Sequence, residues 1–379
     1  MLIERSRLRA EVGRLLAHFR GVLLVGARQV GKTTLARMFV PPGSPNYFDL
    51  EDPAVAEQFR APKALLARLR GLIVIDEVQH APSLFPLLRV LMDRDDVPAR
   101  FLLLGSASPA LLKQGAESLA GRIAVVEIGG FTLDEVGVAN EHILWWRGGA
   151  PPSFLAASDA LSVEWRARFI DRFLTRDLPL LGINVAAPAM RRFWMMLAHY
   201  HGQLWNAAEP ARSLGVNEST VRRYLDWLVH TYMVRQLQPW HENLGKRQVK
   251  APKIYFRDSG LLHVLMGLRS AGELLVHPRS GASWEGFALE QVLRIAQPDE
   301  AYFWRTHTGA ELDLLMFKYG RRVGVEFKRM DAPALTPSMR IAKADLKLDA
   351  LYVVYPGDRR YPLAEGIEVV PLAHFAAPA

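Results

Sequence analysis

The chain has 379 residues, more than one ordinary domain holds, so two or three domains are expected. Half of it is hydrophobic and 23% is charged, which suits buried cores rather than a disordered chain. Cysteine is absent, which excludes disulfides, Cys-ligated zinc, iron–sulfur clusters and thiol nucleophiles, while a formal charge of +8 permits an anionic partner without requiring one. The start of the chain is charged where a signal peptide has its apolar run, and no stretch approaches the ~20 apolar residues of a membrane span. A soluble, cytoplasmic protein with no membrane partner is the expectation.

From about residue 20 to 130, short apolar runs alternate with helical patterns. Gly21-Val-Leu-Leu-Val-Gly26, Gly71-Leu-Ile-Val-Ile-Asp76 and Arg100-Phe-Leu-Leu-Leu-Gly105 have strand length and no polar alternation. A parallel sheet covered on both faces needs such strands. Helices are expected between them, at Lys32–Phe39 and Ala61–Leu69. The alternation predicts a doubly wound α/β domain.

Gly26-Ala-Arg-Gln-Val-Gly31-Lys32-Thr33-Thr34 fits G-x-x-x-x-G-K-[ST] between a predicted strand and a predicted helix, the context that this motif requires. Its glycines let backbone N–H groups reach phosphate oxygens, and the helix N-terminus adds its positive end. Lys32 suits the β- and γ-phosphates, and the Thr33 hydroxyl suits Mg²⁺. Arg28 adds a further positive charge within the cradle, and Thr34 follows at the helix start. The strand at 72–76 ends in two carboxylates. Asp76 suits the Mg²⁺ shell, and Glu77 suits activation of an attacking water. Ser106, with Ser108 behind it, is the candidate to orient that water; the alternative is that the two serines cap the next helix. Arg122 could reach a γ-phosphate, in its own subunit or a neighbour's; the alternative is a structural ion pair.

After Gly130 the pattern turns helical to about 200, with Trp145-Trp146, Phe169, Phe173 and Phe193-Trp194 as apolar anchors. Residues 206–229 have helix-turn-helix form. A first helix ends at Leu214, Gly215 turns the chain, and Asn217 or Ser219 caps a second helix. Val221, Tyr224, Leu225 and Leu228 share one apolar face there, which leaves Arg222 and Arg223 to project. Runs at 232–238 and 253–257 suit a two-stranded wing, with Lys246, Arg247 and Lys250 between them. Eleven Lys/Arg against five Asp/Glu over 187–260 hold most of the basic surplus, the footprint of a phosphate-backbone binder. DNA is therefore the expected partner, read by structure rather than by sequence; a protein–protein module is the alternative. His199, His201, His241 and His263 lack zinc-ligand spacing and are assigned core or surface roles.

Further on, 309–317 and 322–328 read as a hairpin. Strand alternation puts Glu326 and Lys328 on one face, and the hairpin brings Asp313 beside them. Glu285, on a helix upstream, could add a carboxylate. Two carboxylates hold a divalent metal and a lysine positions water, the D…E-x-K pattern of a restriction-endonuclease-like centre. The alternative is a solvated ion-pair hairpin.

Together, Gly26–Thr34, Asp76-Glu77-Val-Gln79, Gly105-Ser106 and Leu119-Ala-Gly-Arg122 resemble one group of AAA-type ATPases of bacteria and archaea. The C-terminal domain of that group carries a restriction-endonuclease-like core, here at Asp313, Glu326 and Lys328. The resemblance implies ATP and Mg²⁺ as cofactors and hydrolysis through Lys32, Thr33, Asp76 and Glu77. It also implies a homo-oligomer, often a hexameric ring with nucleotide between subunits, where Arg122 would act in trans. The strand-end polar residue is commonly Asn in AAA proteins, and here it is Ser106. The expected fold class is α/β: a P-loop AAA-type parallel-sheet ATPase core at 1–135, a helical lid-like segment at 136–198, a winged helix at 199–268 and a restriction-endonuclease-like α/β domain at 269–379. The expected function is an ATP-driven DNA motor, a helicase, translocase or Holliday-junction branch-migration enzyme. An ATP-dependent switch that binds without translocating and an ATP-gated nuclease are the rivals.

Overall fold

The computed structural model describes residues 3–94, 99–106, 118–242 and 249–376. The chain divides into two compact units, the first spanning residues up to Phe131 together with His230–Tyr232, the second the remainder.

The first unit is built on five strands, β1 (Gly21–Gly26), β2 (Tyr47–Asp49), β3 (Gly71–Asp76), β4 (Ala99–Ser106) and β5 (Ile123–Glu127), in the order β2-β3-β4-β1-β5. Every neighbouring pair is parallel. All six residues of β1 are buried, as a strand covered on both faces must be. Leu23, Val25, Ile73 and Ile75 serve one apolar layer, and Val22, Leu24, Val74 and Leu102 the other. The helix Ser6–His18 turns Leu8, Val12 and Leu16 inward at four-residue spacing. Just before it, the buried Arg5 donates to the carbonyls of Val30, Gly129 and Gly130, tying the cradle loop to the end of the unit. β4 lies between β1 and β3, so the crevice at the carboxyl ends of β1 and β3, where open α/β sheets bind ligands, opens beside the glycine loop. The helix after that loop is shorter than its apolar pattern suggests, ending at Ala36.

The second unit opens with helices, among them Asp159–Arg172 and Ala187–Ala198. The helices Ala208–Leu214 and Glu218–His230 follow, with Gly215 between them at φ +68°, a left-handed turn that glycine takes without strain. Asn217 provides the cap: its Oδ1 accepts from Thr220 N at 2.8 Å. A three-stranded ribbon is formed by β6 (Gln203–Leu204), β7 (Val234–Leu237) and β8 (Lys253–Phe256), with β8 central and antiparallel to both.

Six more strands form a mixed sheet ordered β13-β14-β12-β11-β10-β9. They are β9 (Glu300–Arg305), β10 (Glu311–Lys318), β11 (Arg321–Phe327), β12 (Ala350–Tyr355), β13 (Tyr361–Ala364) and β14 (Ile367–Pro371). β10 and β11 form the expected hairpin, with Leu314 opposite Val325, so Asp313 and Glu326 flank that pair. A register shift between Leu312 and Leu315, where β10 meets β9, re-aims the chain around Asp313. The helices Ser280–Ala296 and Pro337–Asp345 complete this part. The fold class is therefore α/β, a parallel P-loop-like sheet followed by a helical middle and a C-terminal mixed-sheet domain. Among the described residues, no helix is long and apolar enough to cross a membrane.

Candidate functional site

The glycine loop leaves β1 at Gly26, whose φ is +156° and whose Cβ, if it had one, would lie 2.1 Å from the Ile128 carbonyl oxygen. Gly31 ends the loop at φ +94° and hands the chain to the helix that begins at Lys32. Lys32 is buried, and its Nζ donates to the carbonyls of Gly26 (3.1 Å) and Ala27 (2.8 Å). Burial lowers the ammonium to about 8, against the opposing pull of Glu77 and Asp76. Thr34 is exposed on the first turn.

Three donors meet on Asp76. Thr33 Oγ1 donates to Oδ2 at 2.8 Å, Tyr47 Oη to the same oxygen at 2.7 Å, and Glu77 N to Oδ1 at 3.0 Å. Burial raises the Asp76 pKa, and the Tyr47 and Thr33 hydrogen bonds oppose that shift. A hydroxyl and a carboxylate on one centre are hard oxygen ligands, and Mg²⁺ binds through few protein oxygens plus substrate phosphates. Thr33 and Asp76 thus fit that ion. Glu77 has left-handed backbone, φ +54°, and its carboxylate accepts from the amide of Gln79. Arg28 Nη2 lies 3.9 Å from Glu51 Oε1. Arg122 forks onto Asp93, Nε to Oδ1 at 2.6 Å and Nη2 to Oδ2 at 2.7 Å, which is the ion pair that the sequence left open. Register places Ser106 opposite Gly26 at the end of β4. The Ser106 side chain and Ser108 lie outside the described residues. The sequence missed Tyr47, which β2 delivers to Asp76.

In the second unit, Glu285, Glu311, Asp313, Glu326 and Lys328 line one cavity of about 630 Å³. Asp313 Oδ2 accepts from Phe327 N at 3.1 Å, and Lys328 Nζ lies 3.0 Å from Glu326 Oε2. Burial and the Asp313 charge raise Glu285 to about 7 and Glu326 to about 8. The residue that the sequence misplaced is Lys253. It is one of the eleven cations of 187–260, yet it is only 3% exposed, and its Nζ lies 2.5 Å from Glu311 Oε1, 3.5 Å from Asp313 Oδ1 and 3.7 Å from Glu285 Oε1. Burial opposes its charge, and Tyr255 and the three carboxylates more than offset burial, raising Lys253 well above its ordinary value. Tyr255 Oη also donates to Glu285 Oε1 at 2.6 Å. Lys253 and Lys328 pair with these carboxylates, which makes the centre a mixed carboxylate–lysine network; among the described residues, no group of three or more His, Asp or Glu side chains is placed to hold a metal ion.

The free basic surplus of residues 187–260 is smaller than its count. Arg235 and Arg257, like Arg294, surround the buried Glu290, which their charges hold at about 2 against burial. Arg222 and Arg223 are exposed on the helix Glu218–His230. Arg222 lies 3.0 Å from Glu218, and the Arg223 guanidinium sits 5.4 Å over the Trp227 ring. Lys250 is exposed, while Lys246 and Arg247 lie outside the described residues. His201 and His263 are core groups held neutral by burial, each lowered to about 3.

A glycine cradle on a parallel sheet, a buried lysine and a threonine–aspartate pair define the class: an AAA-type P-loop ATPase. Residues 18–137 match the family model described as AAA domain, 141–272 a domain of unknown function (DUF8612), and 280–375 a second one (DUF4143). The chain belongs to the family of the uncharacterized protein Rv2008c of Mycobacterium tuberculosis (strain ATCC 25618 / H37Rv), to which it is 51% identical over 371 residues, covering 98% of this chain and 84% of the relative. The uncharacterized protein Mb2031c of Mycobacterium bovis (strain ATCC BAA-935 / AF2122/97) matches to the same extent. Among solved structures, the Walker-type ATPase PABY2304 of Pyrococcus abyssi aligns over 70% of this chain and 96% of its own at 16% identity and a TM-score of 0.44.

Proposed function

We propose that this ATPase hydrolyses Mg·ATP in the crevice beside Gly26–Thr34 and uses the reaction to move along or remodel DNA, as a helicase, translocase or branch-migration motor. Loop N–H groups and Lys32 would neutralise the phosphates, and Mg²⁺, held by Thr33 and Asp76, would supply charge on the β- and γ-oxygens. Glu77 would take the proton of the attacking water. In a homo-oligomeric ring, Arg122 would leave Asp93 to meet a neighbour's γ-phosphate. The observation that carries the DNA reading is the helix Glu218–His230, capped by Asn217, which presents Arg222 and Arg223 to solvent beside a three-stranded ribbon. The test measures ATP turnover and strand separation with single-stranded, duplex, forked and four-way junction DNA. Turnover raised several-fold with strand separation supports the motor. DNA binding without strand separation leaves a regulatory switch, and turnover indifferent to every DNA refutes the reading.

The cavity around Asp313, Glu326, Lys328 and Glu285 favours a second reading, an ATP-gated phosphodiester-cleaving centre. Cleavage with Mg²⁺ or Mn²⁺ that Asp313→Ala abolishes supports it; no cleavage with either metal removes it.

A further inference from the structure

Gln79 follows the Asp76–Glu77 pair on a single helical turn, Val78–His80. Its neighbours on that turn are engaged elsewhere. Val78 is buried in the apolar layer, and His80 Nε2 lies 3.9 Å from Glu51. Gln79 instead lies against Glu77: its Nε2 donates to Glu77 Oε2. The other end of the same amide is buried, and its Oε1 has no hydrogen-bond partner. A buried carbonyl left unpaired costs about 1–3 kcal/mol, and such groups in native proteins mark a strained, catalytic or ligand-completed position. The left-handed backbone of Glu77 is a second cost of that order at the same place.

We infer that Gln79 is a catalytic residue of ATP hydrolysis, its Oε1 accepting one hydrogen of the attacking water while Glu77 accepts the other. The inference rests on the ATPase reading above. A water held by one carboxylate still turns about that single hydrogen bond. Two acceptors, one for each hydrogen, leave a lone pair aimed away from both, and that direction is the one the γ-phosphorus must occupy. On attack, the bond from water oxygen to γ-phosphorus forms, and the bond from that phosphorus to the β-bridging oxygen breaks. ADP leaves with the bond's electron pair. The proton between water and Glu77 passes to the carboxylate, whereas Gln79, being neutral, holds its hydrogen bond throughout and gains no proton. The Gln79 Nε2 bond meanwhile fixes which carboxylate oxygen of Glu77 faces the water.

The experiment compares full-length wild type, Gln79→Leu, Gln79→Asn and Glu77→Gln in three measurements: ATP turnover, ADP binding by calorimetry, and binding of ADP with aluminium fluoride, which mimics the γ-phosphoryl group with its attacking water in place. Gln79→Leu is expected to lower kcat about 30- to 100-fold, at or below the lower end of the ~10²–10⁴ of a proton-transfer partner, because Gln79 orients the water and takes no proton. ADP affinity should stay within about threefold, and the extra affinity conferred by aluminium fluoride should fall at least about tenfold, as expected for an interaction made only in the transition state. Gln79→Asn keeps the amide but withdraws it by one methylene and should show the same pattern. Turnover or aluminium fluoride affinity within threefold of wild type in Gln79→Leu overturns the assignment, as does loss of ADP binding in both Gln79 variants, which would make the residue structural. If wild type hydrolyses ATP and Glu77→Gln does not, such a failure belongs to Gln79 alone. If wild type binds no nucleotide, the ATPase reading falls with it.

Discussion

Lys253→Met tests the arrangement that β8 builds in the second unit. The ammonium stands 2.5, 3.5 and 3.7 Å from oxygens of Glu311, Asp313 and Glu285, and it is 3% exposed. A pair at 4 Å is worth about 4 kcal/mol at the effective dielectric of such sites, and deleting one partner of a buried pair typically costs about 3–5 kcal/mol because the other charge stays behind. Methionine keeps most of the stem's volume, so the loss reports charge rather than packing. The sign with pH follows from the neighbours. Lys253 helps keep Glu285 and Glu326 down to about 7 and 8, already raised by burial and by Asp313. Below those values both carboxyls are protonated and need little from the lysine. Above them both ionise, and the missing cation is felt. The expected penalty therefore grows from pH 6 to pH 8.5 and approaches about 3–5 kcal/mol at the upper end. Calorimetric melting of the full chain should register it as a drop of roughly 6–20 °C in the transition of the second unit, using about 2–4 °C per kcal/mol for a unit of this size. Adding Glu311→Gln to Lys253→Met should restore part of the loss, because one stranded charge is removed with its partner. A drop below about 3 °C at pH 8.5, or one that is larger at pH 6, refutes the reasoning.

Tyr47→Phe deletes one of the two hydroxyls on Asp76 Oδ2; the Mg²⁺ concentration for half-maximal ATP turnover should rise about tenfold, in keeping with the ~1.5–3 kcal/mol of a hydrogen bond to a charged group, and an unchanged Mg²⁺ dependence would show that Thr33 alone orients the carboxylate. Neutralising Arg222 and Arg223 to Gln should weaken DNA binding and flatten the slope of log affinity against log salt by up to about 1 for each arginine that meets a phosphate, and equal slopes would place the DNA elsewhere. Gly286→Ala should destabilise the second unit by about 1–3 kcal/mol in urea unfolding, since its Cβ would meet His201 Nε2 at 2.2 Å and that ring is already fixed by the Phe256 amide at 3.0 Å; a wild-type midpoint would mean that the ring moves freely.

The cradle was legible because its chemistry is contiguous. One strand, one loop and one helix start supply Gly26 to Thr34, and the second strand ends on Asp76 and Glu77. Tyr47 was not legible, for a physical reason: β2 has three residues, too few to show a period, and it follows Pro41-Pro-Gly-Ser-Pro, which reads only as a turn. The hairpin with Asp313, Glu326 and Lys328 followed from alternation. Lys253 did not, because β8 is buried at all four positions and gives no alternation to say where its lysine points, and its acidic partner Asp313 is 60 residues away.

That blind spot bears on the DNA reading. Counting charge along a segment treats every lysine and arginine as solvated, whereas burial is decided by tertiary packing that no such count contains. Of the eleven cations between 187 and 260, Lys253 is spent on three carboxylates, and Arg235 and Arg257 on Glu290. These three stand on or beside the ribbon, so the described part of the ribbon offers much less free positive charge than its composition implies. Arg222 and Arg223, exposed on the preceding helix, keep theirs at the surface. A phosphate backbone is attracted by charge that it can reach, so the helix rather than β7 and β8 should dominate both affinity and its salt dependence. It follows that Arg235→Gln should unsettle Glu290 and lower stability while leaving the salt slope untouched, whereas the Arg222 and Arg223 changes should alter the slope while leaving stability intact.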